Sequence, residues 1–108
     1  MVAKILKEMD KKSVRDMLIL RAGPAVELGN LNEKYEDVFC GCSLDYVNTI
    51  HIWGPDNLME IAKILDKKIM EVERKNDEEY PKEIYFYEEL FGKQWRVFAL
   101  VEGKKDED

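Results

Sequence analysis

The sequence predicts an α+β fold: an antiparallel-rich sheet of about five strands packed by one long helix, with room for a short helix near the N-terminus. Three observations predict it. One strongly amphipathic stretch lies past the middle of the chain, aromatic and β-branched runs flank it on both sides, and short turn signals separate those runs.

The helix is the clearest element. Leu58, Ile61, Ala62, Leu65, Ile69 and Val72 recur at three- and four-residue steps, the spacing of one apolar stripe. Glu60, Lys63, Lys67, Glu71 and Arg74 fall on the opposite side. Asn57 followed by Glu60 has the form of a capping box, and Pro55 fits a helix entry. Asn76 suits the far end and Pro81 forbids much continuation, so the expected helix runs from Asn57 to about Lys75.

Downstream, Ile84–Leu90 and Trp95–Val101 read as a β-hairpin around the glycine-containing loop Phe91–Gln94. Upstream, Glu36–Ser43 and Tyr46–Trp53 read as a second hairpin turning at Leu44 and Asp45. A further strand signal, Met17–Arg21 and on to Leu28, is interrupted at Gly23–Pro24. In the first twenty residues Val2, Ala3, Ile5, Leu6 and Met9 suit either a short strand or a helix, and the reading taken is a strand followed by a short helix that Ser13 and Asp16 begin. Leu58, Ile61, Leu65, Ile69, Phe86, Val97 and Ala99 are the expected core.

With 108 residues the chain has the size of a single domain, here residues 1–101, with an acidic tail over 102–108 expected to be mobile. Net charge is −6, split as −1 over residues 1–54 and −5 over 55–108. That field repels phosphate backbones and anionic lipid surfaces, so neither nucleic acid nor membrane is an expected partner. Charges at Lys4, Lys7, Glu8 and Asp10 break up the apolar start, so no secretory leader is read there, and the expected location is the cytoplasm. The two cysteines, a single glycine apart, are no disulfide framework and fit a reducing compartment. Abundant Lys and Glu beside a single glutamine is a composition met in hyperthermophile proteins.

No catalytic constellation is complete and no cofactor motif is present in the sequence. Cys40 and Cys42 point to one face if they lie on a strand. With a turn at Leu44–Asp45, Cys40 faces Thr49, and His51 stands opposite Val38, diagonal to Cys40 on the same face. Two thiols and one imidazole so placed are the candidate metal or thiol-redox residues and support the alternative function, a redox- or metal-responsive protein. Against it, no second Cys or His pair exists to complete a structural zinc site, and the cysteines do not open a helix with two intervening residues. Free cysteines of this kind pack as small core residues.

The favoured function is a non-catalytic protein-interaction module, self-associating or docking another protein. Its positive support is the two-sided apolar character of the strands. In the last hairpin Ile84, Phe86 and Leu90 lie on one side while Tyr85 and Tyr87 lie on the other. One helix covers one face only. Tyr85 and Tyr87, with Arg96 and Phe98 as cross-strand neighbours, are the expected partner-binding residues.

Overall fold

The computed structural model of the chain describes residues 2–22, 38–39 and 48–103. The N-terminal segment is helical from the start. A 3-10 turn, Lys4–Glu8, buries Leu6 completely, where the sequence suggested a strand. Helix α1, Lys11–Ala22, follows. Asp10 caps it: its Oδ1 accepts hydrogen bonds from the Ser13 N–H at 2.8 Å and the Ser13 hydroxyl at 2.7 Å. The backbone N–H bond from Ser13, and then the hydroxyl bond, hold the Asp10 carboxyl below its ordinary value. The cap therefore lies three residues before Ser13, and Asp16 takes no part in it. Val14, Met17 and Leu18 are buried along one stripe, so the Met17–Arg21 part of the strand signal belongs to α1, and its continuation to Leu28 lies outside the described residues.

Helix α2 spans Pro55–Leu65, with Gly54 as its N-cap residue and Pro55 in its first turn. Asn57 does not cap it. Its side chain is 3% exposed and crosses to the N-terminus instead. The Oδ1 atom accepts from the Ala3 N–H at 2.6 Å, and Nδ2 donates to the Trp53 carbonyl at 2.7 Å. The helix is also shorter than its apolar period suggests. Asp66 adopts the left-handed conformation at φ 59, while the Lys67 N–H bonds to the Ala62 carbonyl at 2.8 Å and the Asp66 N–H to Lys63. The apolar stripe beyond Leu65 belongs to other structure. Ile69 is partly buried against the core, and Val72 sits in strand β2, Met70–Glu73, where it is exposed.

Strands β3, Lys82–Leu90, and β4, Lys93–Val101, form the expected hairpin with a tighter connection. Leu90 pairs with Lys93, leaving only Phe91 and Gly92 in the turn, both at positive φ. That combination is the type I′ turn, whose twist matches paired strands. Strand β1, Thr49–His51, completes a four-stranded sheet in the order β1-β4-β3-β2.

The sheet is mixed, with two antiparallel pairings and one parallel, and among the described residues it has four strands and two helices where about five strands and one long helix were expected. β1 runs parallel to β4, while β3 is antiparallel to both β4 and β2. β1 and β2 thus run the same way on opposite edges, joined by α2, and the later hairpin fills the gap between them. A helical crossover returns the chain in its original direction, which is why those two strands are parallel. Of the upstream hairpin only Val38 and Phe39 are described on its first strand. Phe39 pairs antiparallel with Ile52, and the Trp53 N–H bonds to the Val38 carbonyl at 2.7 Å. That pairing is two residues out of step with a turn at Leu44–Asp45, a shift that preserves which side chains share a face. The rest of that strand, including Cys40 and Cys42, lies outside the described residues.

Both helices pack on one face of the sheet. Leu58, Ile61, Ala62 and Leu65 of α2 and the inner stripe of α1 meet Ile50, Ile84, Phe86, Leu90, Val97 and Ala99. Six of the seven expected core residues are buried, Ile69 being the partly covered exception. Glu88 belongs to this face too and is 7% exposed. Arg15 Nε from α1 and Lys67 Nζ from the α2–β2 connection each reach its carboxylate at 2.8 Å, tying both segments to β3.

Candidate functional site

Because strand side chains alternate, each strand that buries one set of residues under the helices presents the other set on the opposite face. There β1 places Thr49 and His51, β4 places Arg96, Phe98 and Leu100, β3 places Glu83, Tyr85 and Tyr87, and β2 places Met70 and Val72. Among the described residues no helix lies over them.

The register brings the expected partner-binding residues together. Tyr85 stands directly opposite Phe98 and Tyr87 directly opposite Arg96. The two tyrosine rings meet edge to face at 5.6 Å between centroids. His51, level with Phe98 in the parallel pair, stacks on its ring at 4.5 Å and 15°. Arg96 leans along the sheet, lays its guanidinium over the Tyr85 ring at 3.9 Å, and pairs through Nη2 with Glu83. Its Nε is buried with no hydrogen-bond partner among the described residues. A guanidinium committed to one ring face and one carboxylate is fixed in place, which favours a defined surface over a mobile one.

The face is concave. A hollow of about 630 Å³ lies between Thr49, His51, Phe98, Glu83 and Arg96, with Arg74 on its rim. A second, of about 560 Å³, continues past His51 and Leu100 to Trp53, Pro55 and Tyr80. Trp53 is 62% exposed there, the most exposed large apolar side chain among the described residues. Arg74 is held at its rim by Asp77 Oδ2 at 2.8 Å and the Tyr80 carbonyl at 3.3 Å, both through Nη1.

Chemically the described residues of this surface offer rings, the guanidinium groups of Arg96 and Arg74, each paired with a carboxylate, and the carboxylate of Glu102 beside the second hollow. Among the described residues no group of three or more His, Cys, Asp or Glu side chains could hold a metal ion. His51 is engaged with Phe98 on this open face, and the thiols considered with it lie outside the described residues. No described helix is long and apolar enough to cross a membrane.

Sequence reasoning missed Glu83, Arg74 and Trp53 as parts of this surface. Glu83 was legible in principle, two positions from Tyr85 on an alternating strand. Arg74 was assigned to the outside of an over-long helix, whereas the alternation Met70, Val72, Arg74 continues the open face of β2. No model of a known protein family matches the chain, and no curated protein or solved structure matches it either.

Proposed function

We propose that the chain is a non-catalytic interaction module that docks a protein partner on the open face of its sheet, through Tyr85, Tyr87, Arg96 and Phe98. One observation carries this reading. Both helices cover the same side of the sheet, and the other side carries ordered aromatic and guanidinium groups of the kind concentrated at interface hot spots. Tyrosine and arginine suit a surface that is wet alone and dry in a complex, since each pairs a broad apolar body with a polar end. A protein is the partner class this charge favours, because a net −6 repels nucleic acid and anionic lipid.

The test is the double change Tyr85→Ser with Tyr87→Ser, followed by thermal unfolding and molecular mass. As solvent-facing cross-strand residues the two tyrosines contribute roughly 2–3 kcal/mol together. As true core residues they would contribute about 6–10 kcal/mol, comparable to the whole stability of a domain. Retained folding with lost association supports docking. Unfolding with no change in mass would mean the face is packed within the chain, and the proposal would fail.

A further inference from the structure

Given the docking role proposed for the adjoining sheet face, on which this rests, we infer that the second hollow is a seat for one basic side chain of the docked protein, a lysine ammonium or an arginine guanidinium. Two rings and one acid line it, Trp53, Tyr80 and Glu102, with Leu100 and Pro55 beside them. Aromatic faces attract a cation, a carboxylate completes the charge, and the apolar remainder accepts the alkyl stem behind the head. At about 560 Å³ the hollow is large enough for a whole side chain with its neighbouring backbone. It adjoins the ring-bearing face through His51 and Leu100, so one partner can cover both.

All three groups stand on backbone that is fixed from elsewhere. The Trp53 N–H bonds to the Val38 carbonyl at 2.7 Å, its carbonyl accepts from Asn57 Nδ2 at 2.7 Å, and Gly54 then turns the chain at φ 83 into α2. Held on both sides, Trp53 still leaves 62% of its surface exposed. The Tyr80 N–H donates to Asp77 Oδ1 at 2.8 Å, and its carbonyl accepts from Arg74 Nη1 at 3.3 Å. Next to it the Gly103 N–H bonds to the Glu79 carbonyl at 2.9 Å. A Cβ at Gly103 would stand 3.0 Å from the Glu78 carbonyl oxygen and 3.2 Å from the Pro81 ring, so glycine is what lets the end of β4 come this close. That approach sets Glu102 on the hollow. Groups already in place lose little freedom on binding.

Charge selects a cation. Glu102 has no ion pair among the described residues, and no lysine or arginine among them lines the hollow. Arg74, on the rim of the neighbouring hollow, gives its Nη1 to Asp77 and to the Tyr80 carbonyl; it braces the tyrosine backbone and leaves Glu102 unpaired. Residues 55–108, which supply most of the lining, carry −5. An acidic group entering here meets like charge, and a neutral one strips water from Glu102 without supplying a partner. A basic group supplies it.

The experiment titrates the full chain with short blocked glycine peptides whose central residue is lysine, arginine, glutamine or glutamate, followed by tryptophan emission. Trp53 reports on the hollow. Trp95, its Nε1 bonded to the Leu90 carbonyl near the hairpin turn, gives a constant background, so Trp53→Phe should remove the response. The lysine and arginine peptides should bind about tenfold more tightly than the glutamine peptide, a difference that fades in high salt. Glu102→Gln should cut that preference about threefold at unchanged melting temperature, because the carboxylate is exposed and unpaired. No response in wild type, equal binding of the lysine and glutamine peptides, or a preference that Glu102→Gln leaves intact overturns the inference. Any of these with association through the sheet face retained rejects the basic seat and leaves docking standing. Unfolding of the double serine variant at unchanged mass rejects docking itself, and with it the partner whose side chain this seat would hold.

Discussion

Replacing Asn57 by Asp separates two roles that the same side chain could serve. At a helix N-cap, Asp is as good as Asn, and its charge gains up to about 1 kcal/mol from the helix dipole, so a capping role predicts a neutral or stabilising change. The structure gives Asn57 a different task. Its carbonyl oxygen holds the Ala3 N–H and its amide nitrogen donates to the Trp53 carbonyl, 2.7 Å away. A carboxylate keeps the first bond and loses the second, leaving an oxygen facing an oxygen at a position 3% exposed. An unsatisfied buried carbonyl costs about 1–3 kcal/mol, and an ill-paired buried carboxylate adds to it. After the dipole gain the net loss is about 2 kcal/mol, a fall of roughly 8–16 °C in melting temperature for a domain near this size. The loss should also depend on pH. Burial raises the carboxyl of the variant above its unfolded value, so the penalty is full at neutral pH and fades as pH falls through the folded value. Once protonated, the acid can donate to Trp53. Thermal unfolding of wild type and variant at neutral and acidic pH measures both effects. Equal melting temperatures at neutral pH would refute the bridging role and restore the capping one.

Other perturbations probe other joints. Glu88→Gln leaves Arg15 and Lys67 without their shared carboxylate; with both cations more than a third exposed, the expected loss is about 2 kcal/mol by denaturant unfolding. Phe91→Asn creates an Asn-Gly type I′ turn where phenylalanine is held at φ 54, and stability should rise by about 1 kcal/mol because the left-handed penalty is relieved. Asp10 has a lowered folded-state carboxyl, so its capping contribution is complete above the unfolded value of 3.8 and is lost as pH falls through the folded one. Asp10→Asn should flatten that part of the stability profile while keeping α1 capped; an unchanged acid slope would count against the cap.

The open face was legible in the sequence because it rests on period two. Once Phe86 is assigned to the core, Tyr85 and Tyr87 must face away, and the hairpin fixes Phe98 and Arg96 across from them whether its loop has four residues or two. The turn was misjudged in length because Phe91 takes a conformation that phenylalanine seldom adopts. Strand β2 was hidden for a related reason. Ile69 and Val72 continue a helical stripe as well as they fit a strand, and the arbiter is the left-handed Asp66, which no periodicity records. α1 was read only as a short helix from Ser13, since Met17 and Leu18 also fit a strand signal until the Asp10 cap is seen. The parallel pairing of β1 with β4 joins residues 47 positions apart, as Thr49 with Arg96, which local pattern does not encode. The Arg96–Glu83 pair needed the reach of a long side chain along the sheet as well as the register.

The most direct measurement of the central claim is hydroxyl-radical footprinting of the unmodified chain across a concentration series. Docking on the open face predicts that Tyr85, Tyr87 and Phe98 become protected together as concentration rises, while Leu20 and Met59, exposed on the helical side, keep a constant rate. Association during which the three aromatic residues keep constant labelling, or protection that appears on Leu20 and Met59 instead, would contradict it.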